Sequence, residues 1–362
     1  MVKRLYSLEI YSNTNVSKRN STPDLNDFLM SLSVFQSICK RVSESFPADL
    51  WRQLDVAVAV SGGPDSIVLL RAVTELRASA GHSGKLFVVH CNHQTRPECN
   101  DEQQFVQQLC EQLKVEFHVL QKQEATASQG VSEEDLRDWR YHSQLKLAQK
   151  LGVRYLLTGH HQDDQVETIL FRLIRGTGLA GLQGIPKFRV HQSVTIVRPL
   201  LQVQKSEIEQ ALIELDQPVL RDASNEESKF SRNFIRNEVL PVVRERFGNS
   251  IDHSLSRISD QASELTAFLD EQAAHLAGSA IKHQSEKQLT FSVTSCESEP
   301  AIIVRHLLKT AWRDAGWPEQ DMTQAWWNIL CKLAQGTSTE TQNLPGNVIA
   351  RRDDADLLLS RA

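Results

Sequence analysis

Residues 55–66 read Asp-Val-Ala-Val-Ala-Val-Ser-Gly-Gly-Pro-Asp-Ser. The unbroken run of small or β-branched residues from Val56 to Val60 is the pattern of a strand buried on both faces of a parallel sheet. Ser61 to Ser66 then read as a short turn, and from Ile67 the apolar residues Leu69, Leu70, Val73 and Leu76 recur at helical spacing. Strand, glycine turn and helix together bring backbone N–H groups to an anion at the helix N-terminus. Gly62 and Gly63 allow close backbone approach and positive φ. Ser61 and Ser66 add hydroxyls, and Asp65 offers a carboxylate that could hold Mg²⁺ beside phosphates. No lysine lies in the turn, which sets it apart from the GxxxxGK[ST] loop.

Downstream, further strands are expected at Lys85–His93, Val115–Leu120, Val153–Thr158 and Val194–Val197. Helices fall between them, over 101–114, over 132–151 with Ser132 as N-cap, and from Val166 to the stop at Gly176. Ser206 to Glu209 reads as a capping box for a helix through Leu215. This alternation predicts an α/β fold, a doubly wound parallel sheet, with ligands beyond the carboxyl ends of its strands. The polar clusters at Ser61, His90–His93 and Gly159–Asp164 all follow strand ends, so one crevice is expected to collect them. From Arg221 the pattern turns helical to about Ala280. A small α+β region follows, with strands at 288–293, 347–352 and 356–359 and helices at 301–315 and 322–334. The expected organisation is a disordered tail over 1–28, the α/β domain over 29–220, a helical linker over 221–284 and a C-terminal domain over 285–362.

The net charge of −5 does not announce a nucleic-acid binder, but the charge is uneven. Between Thr168 and Ser206 there is no Asp or Glu, while Arg172, Arg175, Lys187, Arg189, Arg198 and Lys205 all fall there. A second basic group holds Lys229, Arg232, Arg236, Arg244 and Arg246, against Glu238 and Glu245. Such a stretch beside the proposed crevice is read as facing a polyanion. The six cysteines form no CxxC pair, which argues against a zinc ribbon or a cysteine-ligated cluster. No apolar run reaches about 18 residues and no apolar leader follows Met1, so a cytoplasmic protein with no membrane partner is expected.

Two further stretches carry chemistry. Val89 to Arg96 (VHCNHQTR) places His90, Asn92, His93 and a guanidinium past the second strand. Gly159 to Thr168 (GHHQDDQVET) places His160, His161, Asp163, Asp164 and Glu167 where a helix begins and its dipole favours anions. Glu167 follows Asp164 by three residues on one helical face, so the pair could clamp an ammonium or coordinate Mg²⁺. Adjacent histidines point in different directions and no HExxH spacing occurs, which disfavours zinc.

SGGPDS at 61–66 resembles the SGGxDS loop of the N-type ATP pyrophosphatases, the PP-loop proteins. VHCNHQTR, LRDWRY at 136–141, TGHHQDDQVETILFRLIRGTGLAGLQGIP at 158–186, RPLL at 198–201 and DASNEESKFSRNFIR at 222–236 narrow the resemblance to the tRNA(Ile)-lysidine synthetase family. It covers about residues 50–245. Phe234 stands where that family usually has the middle arginine of Arg-Asn-Arg-Ile-Arg, and a further C-terminal domain of the longest members is expected to be absent. The resemblance implies ligation of free lysine to carbon 2 of the wobble cytidine of tRNA(Ile) with a CAU anticodon, through an adenylated intermediate made from ATP. By residue, it implies ATP binding by Ser61, Gly62, Gly63, Pro64, Asp65, Ser66, His90 and His160, and Mg²⁺ at Asp65 and Asp163. It implies catalysis by Asp65, Asp164, Glu167 and Arg140, and lysine binding by Arg137, Asp164 and Glu167. Arg172, Arg175, Arg198, Arg232 and Arg236 are the expected tRNA contacts, and a homodimer is left open. The alternatives are another PP-loop tRNA-modifying enzyme such as a thiolase, or a non-catalytic tRNA-binding protein.

Overall fold

The computed structural model describes residues 33–94, 98–122, 133–220 and 231–361. The tail expected over 1–28 and the expected N-cap Ser132 lie outside them. Packing divides the chain into two compact units, with cuts after Gly159, after Arg189 and after Arg221. The sequence boundary at 220 lies beside the last cut, and residues 160–189 pack with the C-terminal part.

The chain runs through α1 (Val34–Ser45), α2 (Ala48–Trp51), β1 (Val56–Ala59), α3 (Pro64–Ala80), β2 (Leu86–Asn92), α4 (Glu98–Leu113), β3 (Glu116–Gln121), α5 (Glu133–Lys150) and β4 (Tyr155–Leu157). After α6 (Gln162–Ile174) and α7 (Leu179–Leu182) come β5 (Phe188–His191), β6 (Val194–Val197) and α8 (Lys205–Glu214). The sheet order is β3-β2-β1-β4-β6-β5, and the cut after Arg189 falls within β5. β1 lies parallel to both β2 and β4, β2 to β3, and β4 to β6. The chain thus builds outward from β1 in one direction and then restarts at β4 on its other side. That puts the switch point, where such sheets bind ligands, between β1 and β4.

The run from Val56 to Val60 is wholly apolar because both its faces are covered. Val56, Val58 and Val60 enter one core with Ile38, Val42, Ile67, Leu70, Leu109 and Ile208. Ala57 points the other way, to Leu145, Ala148, Leu156 and Ile196. Each fully buried aliphatic side chain here contributes about 1.5–3 kcal/mol.

Three local readings change. α3 begins at Pro64, not Ile67, because proline's fixed φ suits the first helical position; Pro64, Asp65 and Ser66 are therefore its first turn. α8 begins at Lys205, and Glu207 rather than Glu209 accepts the N–H that precedes the helix, from Gln204 at 2.9 Å. β5 had no sequence signal, since all four of its residues are exposed and show no burial alternation.

In the second unit, α9 (Ser231–Phe234), a π-helical turn at Ile235–Val239, α10 (Leu240–Phe247) and α11 (Ser250–Ala280) follow one another. α6 buries Val166 and Ile169 against Ile235, Leu240 and Leu255 of this group. The rest comprises β7 (Ile281–Gln284), β8 (Gln288–Ser292), α12 (Val293–Glu297), α13 (Ala301–Asp314), α14 (Gln324–Ala334), β9 (Gln342–Leu344), β10 (Val348–Asp353) and β11 (Asp356–Arg361). These strands form an antiparallel sheet in the order β7-β8-β11-β10-β9. Its core includes Phe291, Leu357, Leu359, Leu307, Leu308 and Trp312, whose ring meets Trp317 and Trp327 edge-on at 4.9 and 5.5 Å. Among the described residues no helix is long and apolar enough to cross a membrane.

Candidate functional site

The turn after β1 is held by its own two hydroxyls. Ser66 Oγ donates to the Gly63 carbonyl at 2.9 Å and accepts from the Ser61 N–H at 3.2 Å. Ser61 Oγ in turn accepts from the Gly63 N–H at 3.3 Å. Gly62 has φ +98°, and a Cβ there would lie 2.8 Å from a methyl of Leu220, whose N–H donates to the Gly62 carbonyl at 3.1 Å. Only glycine satisfies both demands. The loop thus delivers its backbone to the N-terminus of a 17-residue helix, where an anion is favoured.

Gly159, just past β4, packs against the same loop: a Cβ there would sit 3.0 Å from the Asp65 carbonyl carbon and 3.0 Å from the Ser66 nitrogen. The glycine of the TGHH motif is therefore needed for the β4 end to approach the loop closely. His90 is fixed there too. Its Nδ1 lies 2.8 Å from the Val60 carbonyl oxygen, and its Nε2 has no hydrogen-bond partner among the described residues. The ring is 1% exposed, and burial lowers its pKa against the opposing hydrogen bond. His93 meets the Trp139 ring edge-on at 5.0 Å. Burial, followed by the charges of Arg140 and Lys122, pushes its pKa down to about 4. Both imidazoles are therefore neutral near pH 7. Arg140 is thus brought to the end of β2, whereas Arg137 lies over the ring of Tyr141, one helical turn away on α5.

Asp65 has a partner that the sequence reading placed only in a basic stretch. Lys205 Nζ, at the start of α8, lies 2.7 Å from Asp65 Oδ1. The two residues are 140 positions apart, so no local spacing signals the pairing.

The second unit holds the acidic cluster. His161 is the N-cap of α6: its Nδ1 accepts from the Asp163 N–H at 3.2 Å, and its own N–H donates to Asp164 Oδ2 at 3.0 Å. That gives His161 a structural task, while His160 stands half-buried beside it. Glu167 is 1% exposed. Arg236, on the π-helical turn, donates from Nε to Glu167 Oε1 at 2.5 Å and from Nη2 to Oε2 at 3.0 Å. The same Nη2 reaches Asp164 Oδ1 at 3.2 Å. The helical spacing thus does aim both carboxylates at one cation. Asp163 faces elsewhere, toward Arg244, which also holds both oxygens of Asp252 at 3.2 and 3.0 Å. Burial opposes the charge of Arg244, but hydrogen bonds to Asp252 and Asp163 outweigh it and raise its pKa.

The expected tRNA contacts separate by environment. Arg172 donates to the carbonyls of Gly181 and Gly184 at 3.0 and 2.8 Å, tying α6 to α7. Arg175 is exposed, its guanidinium 5.1 Å from the centre of the Phe171 ring. Arg198 is 3% exposed. Arg236 faces the carboxylates, and the side chain of Arg232 lies outside the described residues.

For Mg²⁺, Asp65 fits by its chemistry: its carboxylate is a hard oxygen donor in the first turn of α3, where an anion is favoured, and magnesium is commonly shared between one or two carboxylates and phosphates. Asp163 is likewise a carboxylate with one oxygen held by a cation, Arg244 there and Lys205 at Asp65, but it belongs to the second unit and not to the turn after β1.

Comparison with known proteins places the chain in a family. Residues 35–243 match the family ATP_bind_3, described as a PP-loop domain. A tRNA(Ile)-lysidine synthase of Chlorobaculum tepidum is 42% identical over 220 residues, 59% of this chain and 64% of that protein. One from Rhodopirellula baltica is 31% identical over 337 residues, 83% of this chain and 84% of that protein. One from Actinobacillus pleuropneumoniae is 37% identical over 60% of this chain, and there the match spans only 50% of the relative's length. Among solved structures, the U34-tRNA thiolase NcsA of Methanococcus maripaludis with its [4Fe-4S] cluster superposes with a TM-score of 0.54 at 15% identity. That match covers 64% of this chain and 80% of NcsA, a likeness of fold. With a PP-loop domain matched over more than half its length and a relative aligned almost end to end, the chain belongs to the tRNA(Ile)-lysidine synthase family.

Proposed function

We propose that the protein uses ATP to adenylate the carbonyl oxygen on carbon 2 of the wobble cytidine in a tRNA(Ile) with a CAU anticodon, and then ligates lysine there. In the first step that oxygen attacks the α-phosphorus and pyrophosphate leaves. In the second the amine of free lysine attacks carbon 2, AMP departs with the oxygen, and the amine gives up a proton. The turn of Ser61, Gly62, Gly63, Pro64, Asp65 and Ser66 binds the phosphates, and His90 is held beside it through Val60. A magnesium ion at Asp65 would neutralise charge developing on the phosphates.

The observation that carries the lysine half is the seat of Arg236. One guanidinium bonds both Asp164 and Glu167, which supports a site for a single cation between two carboxylates. In the second step the lysine amine takes that place, and the carboxylates orient it and accept its proton. Arg236 is 39% exposed, so it has room to move aside. Arg175 supplies an exposed cation for the tRNA backbone.

The test is incubation of the protein with unmodified tRNA(Ile), ATP, and either labelled lysine or a sulfur donor. Lysine incorporated in step with AMP and pyrophosphate release is the expected result. Incorporation of sulfur, or binding of tRNA without any chemistry, would overturn it.

A further inference from the structure

The turn after β1 contains no lysine or arginine, yet it is built to receive a polyanion. A nucleoside triphosphate brings about four negative charges, more than backbone amides and the partial charge of a helix end can match. The structure places a cation at this turn from elsewhere in the same unit, the Lys205 ammonium 2.7 Å from Asp65 Oδ1.

We propose that Lys205 is the phosphate-binding lysine of this loop, contributed by α8 in place of one within the turn. Without nucleotide its ammonium neutralises Asp65. When the triphosphate arrives, the ammonium takes a phosphate oxygen, and Asp65 is left to the divalent cation that accompanies the nucleotide. The inference rests on the ATP reading given above.

Three features of the molecule support it. Asp65 sits in the first turn of α3, so an ammonium in contact with it lies at the helix end where a phosphate is favoured. The backbone of Lys205 is fixed: α8 buries Ile208, Ala211 and Leu212, and Glu207 is clamped by both Nη atoms of Arg41 at 2.9 and 2.6 Å. The lysine side chain is 34% exposed, and its flexible four-carbon stem lets an ammonium reach more than one oxygen from a fixed backbone. A lysine has three N–H donors, so one ammonium can pass from carboxylate to phosphate without leaving the site. The plain alternative, a surface ion pair, contributes only about 0–1 kcal/mol and would have no reason to involve the one carboxylate of this turn.

The test is calorimetric titration of the full chain with ATP, with Mg²⁺ and again with EDTA, in the absence of tRNA and lysine. Lys205→Ala should weaken ATP binding about 10- to 100-fold in both conditions, and Lys205→Arg should recover part of the loss. In an Asp65→Asn background, Lys205→Ala should still cost about 10-fold. Lys205→Met keeps the stem without the charge and serves if the alanine variant folds poorly. Unchanged ATP affinity in the alanine or methionine variant would overturn the proposal. So would a loss that disappears in the Asp65→Asn background, because Lys205 would then act only through Asp65. Failure of the lysine-ligation reading would leave these ATP affinities untouched, so the two fail separately.

Discussion

Arg236 grips Glu167 with two hydrogen bonds, Nε to Oε1 at 2.5 Å and Nη2 to Oε2 at 3.0 Å, although Glu167 is nearly inaccessible to solvent. A carboxylate so buried is stable as an anion only with cations against it. If lysine is the cation that takes this place in turnover, removing the charge should weaken lysine specifically. Glu167→Gln keeps the shape and should raise the lysine requirement about 10-fold or more, equivalent to about 1.4 kcal/mol. Adenylated tRNA should still form and accumulate when lysine is scarce, as rapid quench would reveal. Loss of adenylation with unchanged lysine affinity would move Glu167 to the nucleotide half of the chemistry.

Gly159 should tolerate no side chain. A Cβ 3.0 Å from the Asp65 carbonyl carbon and the Ser66 nitrogen meets backbone, which cannot swing aside. Gly159→Ala should cost about 1–3 kcal/mol in urea unfolding, as overpacking does. It should also weaken ATP binding more than that stability loss alone would, since the loop itself must shift. Retention of both quantities would show that the β4 end can retreat from the loop.

Arg172 in α6 and Arg175 at its C-cap should part company when their charge is reversed. Arg172→Glu strips two buried-side carbonyls of their donor and should lower the melting temperature. Arg175→Glu leaves packing alone and should weaken tRNA binding, reducing the slope of log affinity against log salt by about one unit. Filter binding across a salt series distinguishes them; a slope unmoved in Arg175→Glu would place that residue away from the RNA.

His93 makes the first unit acid-sensitive. Its pKa is held at about 4 against 6.5 for an ordinary histidine, so between those values the unfolded chain binds more protons than the folded one. The stability in question is present above pH 6.5 and is lost as the pH falls toward 4. Because the ring is only half-buried, solvent screening limits the loss to about 1–2 kcal/mol. Urea midpoints at pH 7 and pH 5 should differ in the wild-type protein and converge in His93→Gln. An equal pH response in both would assign the effect to other groups.

What the sequence made legible was local. The strand at 56–60 was visible as an unbroken apolar run, the turn from its adjacent glycines, and the helix after Asp164 from its 3.6-residue period. The converging aim of Asp164 and Glu167 followed from the same spacing. The three-residue β9 is too short to carry a pattern, and β7 and β5 have little or no burial to create one. The partners of the functional carboxylates were equally hidden. Lys205 meets Asp65 across 140 positions, and Arg236 meets Glu167 across 69; both pairings are products of topology. Arg236, expected as a tRNA contact, pairs here with Asp164 and Glu167: its charge was plain, but its direction is set by a π-helical turn that no composition announces.

Leu220 is joined to the phosphate turn twice, by its N–H on the Gly62 carbonyl and by its methyl in the space where Gly62 lacks a Cβ. It stands one residue before the end of the first unit at Arg221. Any displacement of Leu220 is therefore felt at Gly62, through both the hydrogen bond and the packed methyl. The turn thus has a mechanical tether as well as its own hydroxyls, and its shape depends on where Leu220 sits.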